Sequence, residues 1–253
     1  MGSFDRSSDD RRESGAEERL LRRTEGDLSR LDTTELNRLL TDPHLTTRVI
    51  RRILSQEKLL ERRMVRRAIA AHRATPFAEA QRLISTLFWS DLVELGRDAA
   101  VRPAVRRAAN RALLERYDGL AVGERIAIVR RAGTELLTRV RHDPEPRVVA
   151  AMLDNPRLTE GLLLPVVASG RSSPRVLTVV AESARWMARY QVRRLLCRNR
   201  KTPLEISLST LPRLKKADLK ALENDPAARP EVRRRAAVLL GGGERRAGSP
   251  RRR

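Results

Sequence analysis

Residues 65–114 and 192–241 carry one pattern twice. At an offset of 127 the two segments align without a gap and share 19 identities in 50 positions. Six are Arg on Arg and follow from composition. The other thirteen include Val65/Val192, Thr75/Thr202, Pro76/Pro203, Leu87/Leu214, Asp91/Asp218, Asp98/Asp225, Pro103/Pro230, Val105/Val232 and Ala109/Ala236. Such unlike residue types matching in register imply duplicated structure. A looser third copy lies between them, where Leu136, Asp143-Pro144, Val148, Leu153 and Asn155 echo Leu222, Asp225-Pro226, Val232 and the region of Asn199. The resulting sub-period of about 40 residues is the length of a two-helix repeat unit.

What fills the period is helical. Aromatic residues make up only 3% of the chain, so Ala, Leu and Val must build the core, which suits close-packed helices. Strand signals are nearly absent. Short amphipathic stretches of roughly 8–16 residues are separated by breaks at Asp42-Pro43, Thr75-Pro76, Arg102-Pro103, Asp143-Pro144, Asn155-Pro156, Ser173-Pro174, Thr202-Pro203 and Asp225-Pro226. Asp32 followed by Glu35 reads as a capping box opening a helix over Leu36, Leu39 and Leu40. The expected organisation is a disordered, Ser/Asp/Arg-rich tail over 1–16, a helical cap over 17–41 and a repeat region over 42–241. A flexible basic tail over 242–253 ends the chain.

The segments D-P-E-P-R-V-V-A-A-M-L at 143–153 and D-P-A-A-R-P-E-V-R-R-R-A-A-V-L-L at 225–240 resemble HEAT-type repeats. In those an Asp-Pro turn leads into a helix that starts Val-Arg-x-x-Ala. N-P-R-L-T-E-G-L-L at 155–163 and N-R-K-T-P-L-E at 199–205 are also similar to the leucine-rich-repeat variant, an all-helical relative. The resemblance covers roughly residues 42–241 and implies an all-α fold, an α-solenoid of stacked two-helix HEAT-like repeats with disordered termini. It implies no one function, because such repeats serve many roles. Asp98 lacks the following Pro, and residues 115–142 match no unit cleanly.

Charge sets the class of partner. Fifty-three basic residues, 48 of them Arg, face 32 acidic ones, for a net charge of +21. Part of an arginine excess follows from a GC-rich genome, but that does not explain why acid fails to keep pace. Residues 1–40 are net −2, so the positive field belongs to residues 41–253 and favours a polyanionic partner. Cys197 is the one cysteine, so no internal disulfide can form, which fits a reducing cytoplasm. The first residues hold no apolar h-region, no apolar run is long enough to span a bilayer, and no membrane association is expected.

Val-Arg-Arg recurs at 65–67, 105–107, 129–131, 192–194 and 232–234. In HEAT-like repeats the first Arg of such a pair bonds the Asp of a turn, which implies Arg106 on Asp98 and Arg233 on Asp225. The second lies about 100° further round the helix. Arg67, Arg107, Arg131, Arg194 and Arg234 are therefore the candidate polyanion-binding residues, as guanidinium groups that fork onto phosphates. The function expected is a non-enzymatic module binding nucleic acid, RNA or DNA, through its backbone. The alternative is a scaffold gripping an acidic protein. A third reading is a HEAT-like DNA glycosylase, with Trp89, Asp91 and Arg97 as nominal candidates and no diagnostic motif. Core packing is expected for Phe88-Trp89 and for the i, i+4 pair Trp186 and Tyr190. His44, His72 and His142 lie in no metal-ligand spacing, no Gly-rich phosphate loop or catalytic constellation occurs, and no cofactor or metal is expected.

Overall fold

The computed structural model describes residues 22, 28, 31–42 and 45–247, with side chains described through residue 241. The expected N-terminal tail, the first part of the helical cap and the end of the basic tail lie outside the described residues. Among those described there are seventeen α-helices, one 3-10 turn and no strand. No described helix is long and apolar enough to cross a membrane. The chain divides into two compact units, Met1–Gly119 and Leu120–Arg253.

The first unit holds α1 (Thr33–Leu40), α2 (Thr47–Leu54), α3 (Glu57–Leu60), α4 (Arg63–Ala71), α5 (Phe77–Thr86), α6 (Trp89–Arg97) and α7 (Pro103–Tyr117). The capping box forms as expected: Asp32 Oδ1 accepts from Glu35 N at 2.7 Å, and Asp32 N donates to Glu35 Oε2 at 3.3 Å. α4 packs on α5, α5 on α7, and α6 lies along α7. Each turns a narrow aliphatic face inward, such as Val65, Ile69 and Ala70 on α4 or Val105, Ala109 and Leu113 on α7.

The second unit holds α8 (Val122–Arg131), α9 (Thr134–Val140), α10 (Pro146–Leu153), α11 (Glu160–Ala168), α12 (Pro174–Glu182), α13 (Ala184–Met187) and α14 (Tyr190–Arg198). It continues with α15 (Leu204–Thr210), the 3-10 turn Leu211–Arg213, α16 (Lys216–Glu223) and α17 (Pro230–Ala247). Pro103, Pro146, Pro174 and Pro230 each open a helix, where the missing N–H is no loss.

The repeat is visible in these boundaries. Adding 127 to the starts of α4, α5, α6 and α7 gives 190, 204, 216 and 230, the starts of α14, α15, α16 and α17. One copy lies in each unit. The shared residues are core residues: Val65 and Val192, Thr75 and Thr202, and Ala109 and Ala236 are all fully buried.

The turns between helices repeat as well. An Asn, Asp or His oxygen or nitrogen accepts the backbone N–H two residues on, bending the chain after a helix. Asp98 Oδ1 accepts from Ala100 N and Asp225 Oδ1 from Ala227 N, both at 2.9 Å. Asn199 Oδ1 accepts from Lys201 N at 2.9 Å, and at the matching position His72 Nδ1 accepts from Ala74 N at 3.2 Å. Asn155 and Asn199 do more. Asn155 Nδ2 donates to Val129 O and Ala132 O, and Asn199 Nδ2 donates to Val167 O and Ser169 O, tying each turn to the end of an earlier helix.

Two consequences are measurable. A Cβ on Gly96 would stand 2.1 Å from Asn110 Oδ1, where α6 crosses the buried Asn110 of α7. Gly96→Ala should therefore lose about 1–3 kcal/mol in chemical denaturation. Gly96→Ala combined with Asn110→Ala should recover part of that loss in a double-mutant cycle. The second concerns His72, whose pKa is lowered, first by burial and then by Arg73 and Arg102, against the opposing pull of Asp42. The fold holds the neutral imidazole. Its contribution is present above the ordinary histidine value of 6.5 and is lost as the pH falls below it. His72→Asn, the residue at the matching position 199, keeps the turn. It should leave stability at pH 8 within about 1 kcal/mol of the parent and flatten the decline in Tm between pH 7 and 5. His142, also lowered by burial, keeps part of the decline in place.

Candidate polyanion-binding surface

Many of the described arginines are committed to the fold itself. Helix C-termini leave carbonyls without partners, and a guanidinium carries five donors. Arg116 Nη1 donates to Leu87 O at 2.9 Å and its Nη2 to Ser85 O at 2.6 Å, closing the end of α5. Arg62 reaches Leu31 O at 3.1 Å, Arg102 reaches Thr75 O, and Arg229 reaches Arg200 O at 2.8 Å. Arg185 and Trp186 Nε1 both donate to Leu153 O, the last residue of α10, at 3.4 and 3.0 Å. These bonds span 27–33 residues, the distance from one helix end or inter-helix turn to the element that covers it.

The first arginine of the Val-Arg-Arg step behaves differently from the expectation. Arg233 Nε donates to Glu223 O at 3.1 Å, and Arg193 Nη1 to Met187 O and Ala188 O at 2.6 and 3.0 Å. Asp225 is taken by Arg198 at 2.8 Å, and Asp98 is used by its own turn. Neither of the two expected turn pairs forms. For Arg233 the reason is position: it points toward the open carbonyl end of the preceding helix, as Arg193 does.

It is the second arginine that meets an aspartate. Arg67 lies 3.6 Å from Asp91, and at the matching positions Arg194 lies 3.5 Å from Asp218. Asp91 is 2% exposed and is held chiefly by Arg63, whose Nε reaches Oδ2 at 2.5 Å and whose Nη2 reaches Oδ1 at 3.2 Å. Position 190 corresponds to 63, and there the Tyr190 hydroxyl donates to Asp218 and accepts from Lys215 N. A cation stacks on a ring in both copies with the partners exchanged. Arg63 lies 5.1 Å from the centroid of Phe88, and Lys215, which corresponds to Phe88, lies 5.2 Å from the centroid of Tyr190. Phe88 is accordingly 50% exposed instead of packed in the core, whereas Trp186 is buried as expected.

The other three candidates are exposed at the surface: Arg131 at the end of α8, Arg107 on α7 and Arg234 on α17. Within the first unit, Arg67 and Arg107 occupy different inter-helix surfaces. Arg67 faces α6 through Asp91, and Arg107 lines a groove between α5 and α7. Within the second unit Arg194 and Arg198 are one turn apart on α14. Arg198 continues into a groove of about 460 Å³ with Arg200, Lys201 and Asn199, over Leu195 and Ala227. These three cations were missed in the sequence, where they read only as the end of a repeat. The second unit as a whole has 29 Lys and Arg against 13 Asp and Glu, net +16, and the first has 24 against 19, net +5.

Among the described residues no cluster of His, Cys, Asp and Glu could hold a metal ion. Burial pushes the Cys197 thiol up to about 12, so at neutral pH it is a protonated core residue. No protein-family model, curated protein or solved structure matches the chain.

Asp91 is thus a buried receptor for two arginines. Asp91→Ala should cost about 1.5–3 kcal/mol, the range for hydrogen bonds to a charged group. Arg67→Ala, at a half-exposed, long-range ion pair, should cost under about 1 kcal/mol. Urea titrations of the two variants give the order directly.

Proposed function

We propose that the chain is a non-enzymatic helical-repeat binding module, each unit a short stack of HEAT-like helix pairs. It takes a nucleic acid by its phosphate backbone on the arginine-rich surface of the second unit. The observation that carries this reading is the charge imbalance of that unit, net +16, which self-repulsion makes unfavourable without a counter-charge. Arg131, Arg194 and Arg234, joined by Arg198, Arg200 and Lys201, supply the contacts. Arg67 and Arg107 belong to the less charged unit and are not part of that surface.

Backbone contact is favoured over base stacking. The second unit has two aromatics, Trp186 and Tyr190. The first is buried, and the ring of the second carries Arg193 and Lys215, at 5.6 and 5.2 Å. Neither offers a platform for bases. Guanidinium groups that fork onto phosphates need no such platform.

The test is titration of duplex DNA and of a structured RNA over a salt series. Log affinity should fall linearly with log salt, by about 0.9 per phosphate neutralised on a duplex. Replacing Arg131, Arg194 and Arg234 together with Gln should reduce that slope by up to about 3, while Arg67→Gln leaves it unchanged. Absence of binding to both polymers at low salt, or equal slopes for parent and triple variant, would overturn the reading.

A further inference from the structure

The groove between α5 and α7 in the first unit has a chemistry the nucleic-acid reading does not use. It encloses about 510 Å³. Ala104, Ala108 and Ala112, one turn apart along α7, form its floor with Ile84 of α5. Phe77 stands at its edge, 43% exposed, one of three large apolar side chains left at the surface among the described residues. Arg116 closes the far end, and its bonds to Leu87 O and Ser85 O fix that wall.

The rim is patterned. Arg107, Arg111 and Glu115 follow at i, i+4 and i+8 on α7, all exposed and all lining the groove. None has an ion-pair partner among the described residues. They present a row of plus, plus, minus at intervals of about 6 Å along a helix axis.

We propose that this groove docks an amphipathic helix of another protein, one that sets two carboxylates and then a cation, each one turn apart, against Arg107, Arg111 and Glu115. The alanine floor permits the close approach of a third helix at the 8–10 Å spacing of packed helices, and it has no bulk of its own to fill the groove. A large apolar residue on the incoming helix fills the space over Ala108 and covers Phe77, removing apolar surface from water. The matched periodicity is what selects a helix: carboxylates at i and i+4 on a peptide repeat at the same interval as the two guanidinium groups. A phosphate backbone meets the two arginines as well, but it places charge on an alanine floor and beside Glu115. The groove lies in a different unit and uses different side chains from the nucleic-acid surface, and neither reading depends on the other.

The probes are two fluorescein-labelled helical peptides of about 18 residues with one Leu/Ala face. One carries Glu, Glu and Lys at i, i+4 and i+8 beside that face, and the other carries Lys, Lys and Glu. Anisotropy titration with the full chain should show the first peptide binding about tenfold or more tightly than the second. Arg107→Glu with Arg111→Glu should invert that preference, and Ala108→Leu, which fills the floor, should weaken both peptides with little change in the thermal melt. Phe77→Ala should also weaken the matched peptide. The proposal is overturned if neither peptide binds below about 1 mM, if the charge exchange fails to invert the preference, or if the Ala108 variant binds as the parent does. It is equally overturned if duplex DNA displaces the matched peptide and loses the same affinity in the doubly substituted chain, because the groove would then belong to a nucleic-acid surface.

Discussion

Short helices make many ends, and each end leaves backbone groups that must find partners. A helix of eight or nine residues has about as many unsatisfied as satisfied peptide groups. The described chain has seventeen helices, most of seven to ten residues, so the supply of donors to carbonyl ends is the constraint on which its structure rests. Arginine meets it. A guanidinium reaches from one element to a helix end some 30 residues earlier and satisfies one or two carbonyls there, while its aliphatic stem covers the apolar edge. Asn155 and Asn199 do the same with a shorter side chain and also shape their own turn. Part of the arginine content that first suggests a polyanion is therefore committed to the open carbonyls of helix ends and turns.

The duplicated segments show which contacts the fold requires and which residues are interchangeable in making them. Asp91 and Asp218 persist, but the donor below each is Arg63 in one copy and Tyr190 in the other. The stacked cation and ring persist, with Arg63 over Phe88 in one and Lys215 over Tyr190 in the other. Gly96 beside Asn110 corresponds to Glu223 and Ala237, so the bulk has moved from one helix to its neighbour. In the stacked pair and in the glycine contact two positions have changed together. A single change there would have left a cation without its ring or two side chains in one volume. Across the two copies the contact between helices is kept while some of the side chains that make it differ.

The same distinction separates what is legible in the sequence from what is not. Helix starts are legible because they are written locally, in Asp32 with Glu35 and in prolines such as Pro103 and Pro230. The duplication is legible because Val65, Thr75, Val105 and Ala109 sit in closed spaces that admit little change. The division at Gly119 is not, because the residues around it belong to no repeat and carry no linker signature. The destination of each arginine is not legible either. Arg66 and Arg67 are identical in type and adjacent in sequence, and the carboxylate that Arg67 reaches is supplied by α6, from Asp91. Arg198, Arg200 and Lys201 form a groove only because α11 and the turn at Ala227 come to the same place.

Sorting the arginines by what they touch changes the electrostatic argument. A guanidinium on a helix carbonyl keeps its full charge, since a carbonyl neutralises nothing. A guanidinium on a carboxylate does not. In the first unit Asp91, Glu79 and Glu94 are each paired to an arginine, and 19 acidic residues stand against 24 basic ones. The second unit also pairs Arg125, Arg147, Arg194 and Arg198 with carboxylates. Arginines end on carbonyls in both units, Arg62, Arg102 and Arg116 in the first and Arg185, Arg193, Arg229 and Arg233 in the second, but in the second only 13 acidic residues stand against 29 basic ones. The capping device that holds short helices together thus adds charge that this unit has too little acid to offset. Such a unit attracts anions over a Debye length whether or not any one arginine was placed for the purpose. Under the proposed function, exposed side chains such as Arg131 and Arg234 convert that general attraction into contact. The fold's need for donors and the surface's positive potential share a cause, and a binding function needs only a few further cations set at the surface to use it.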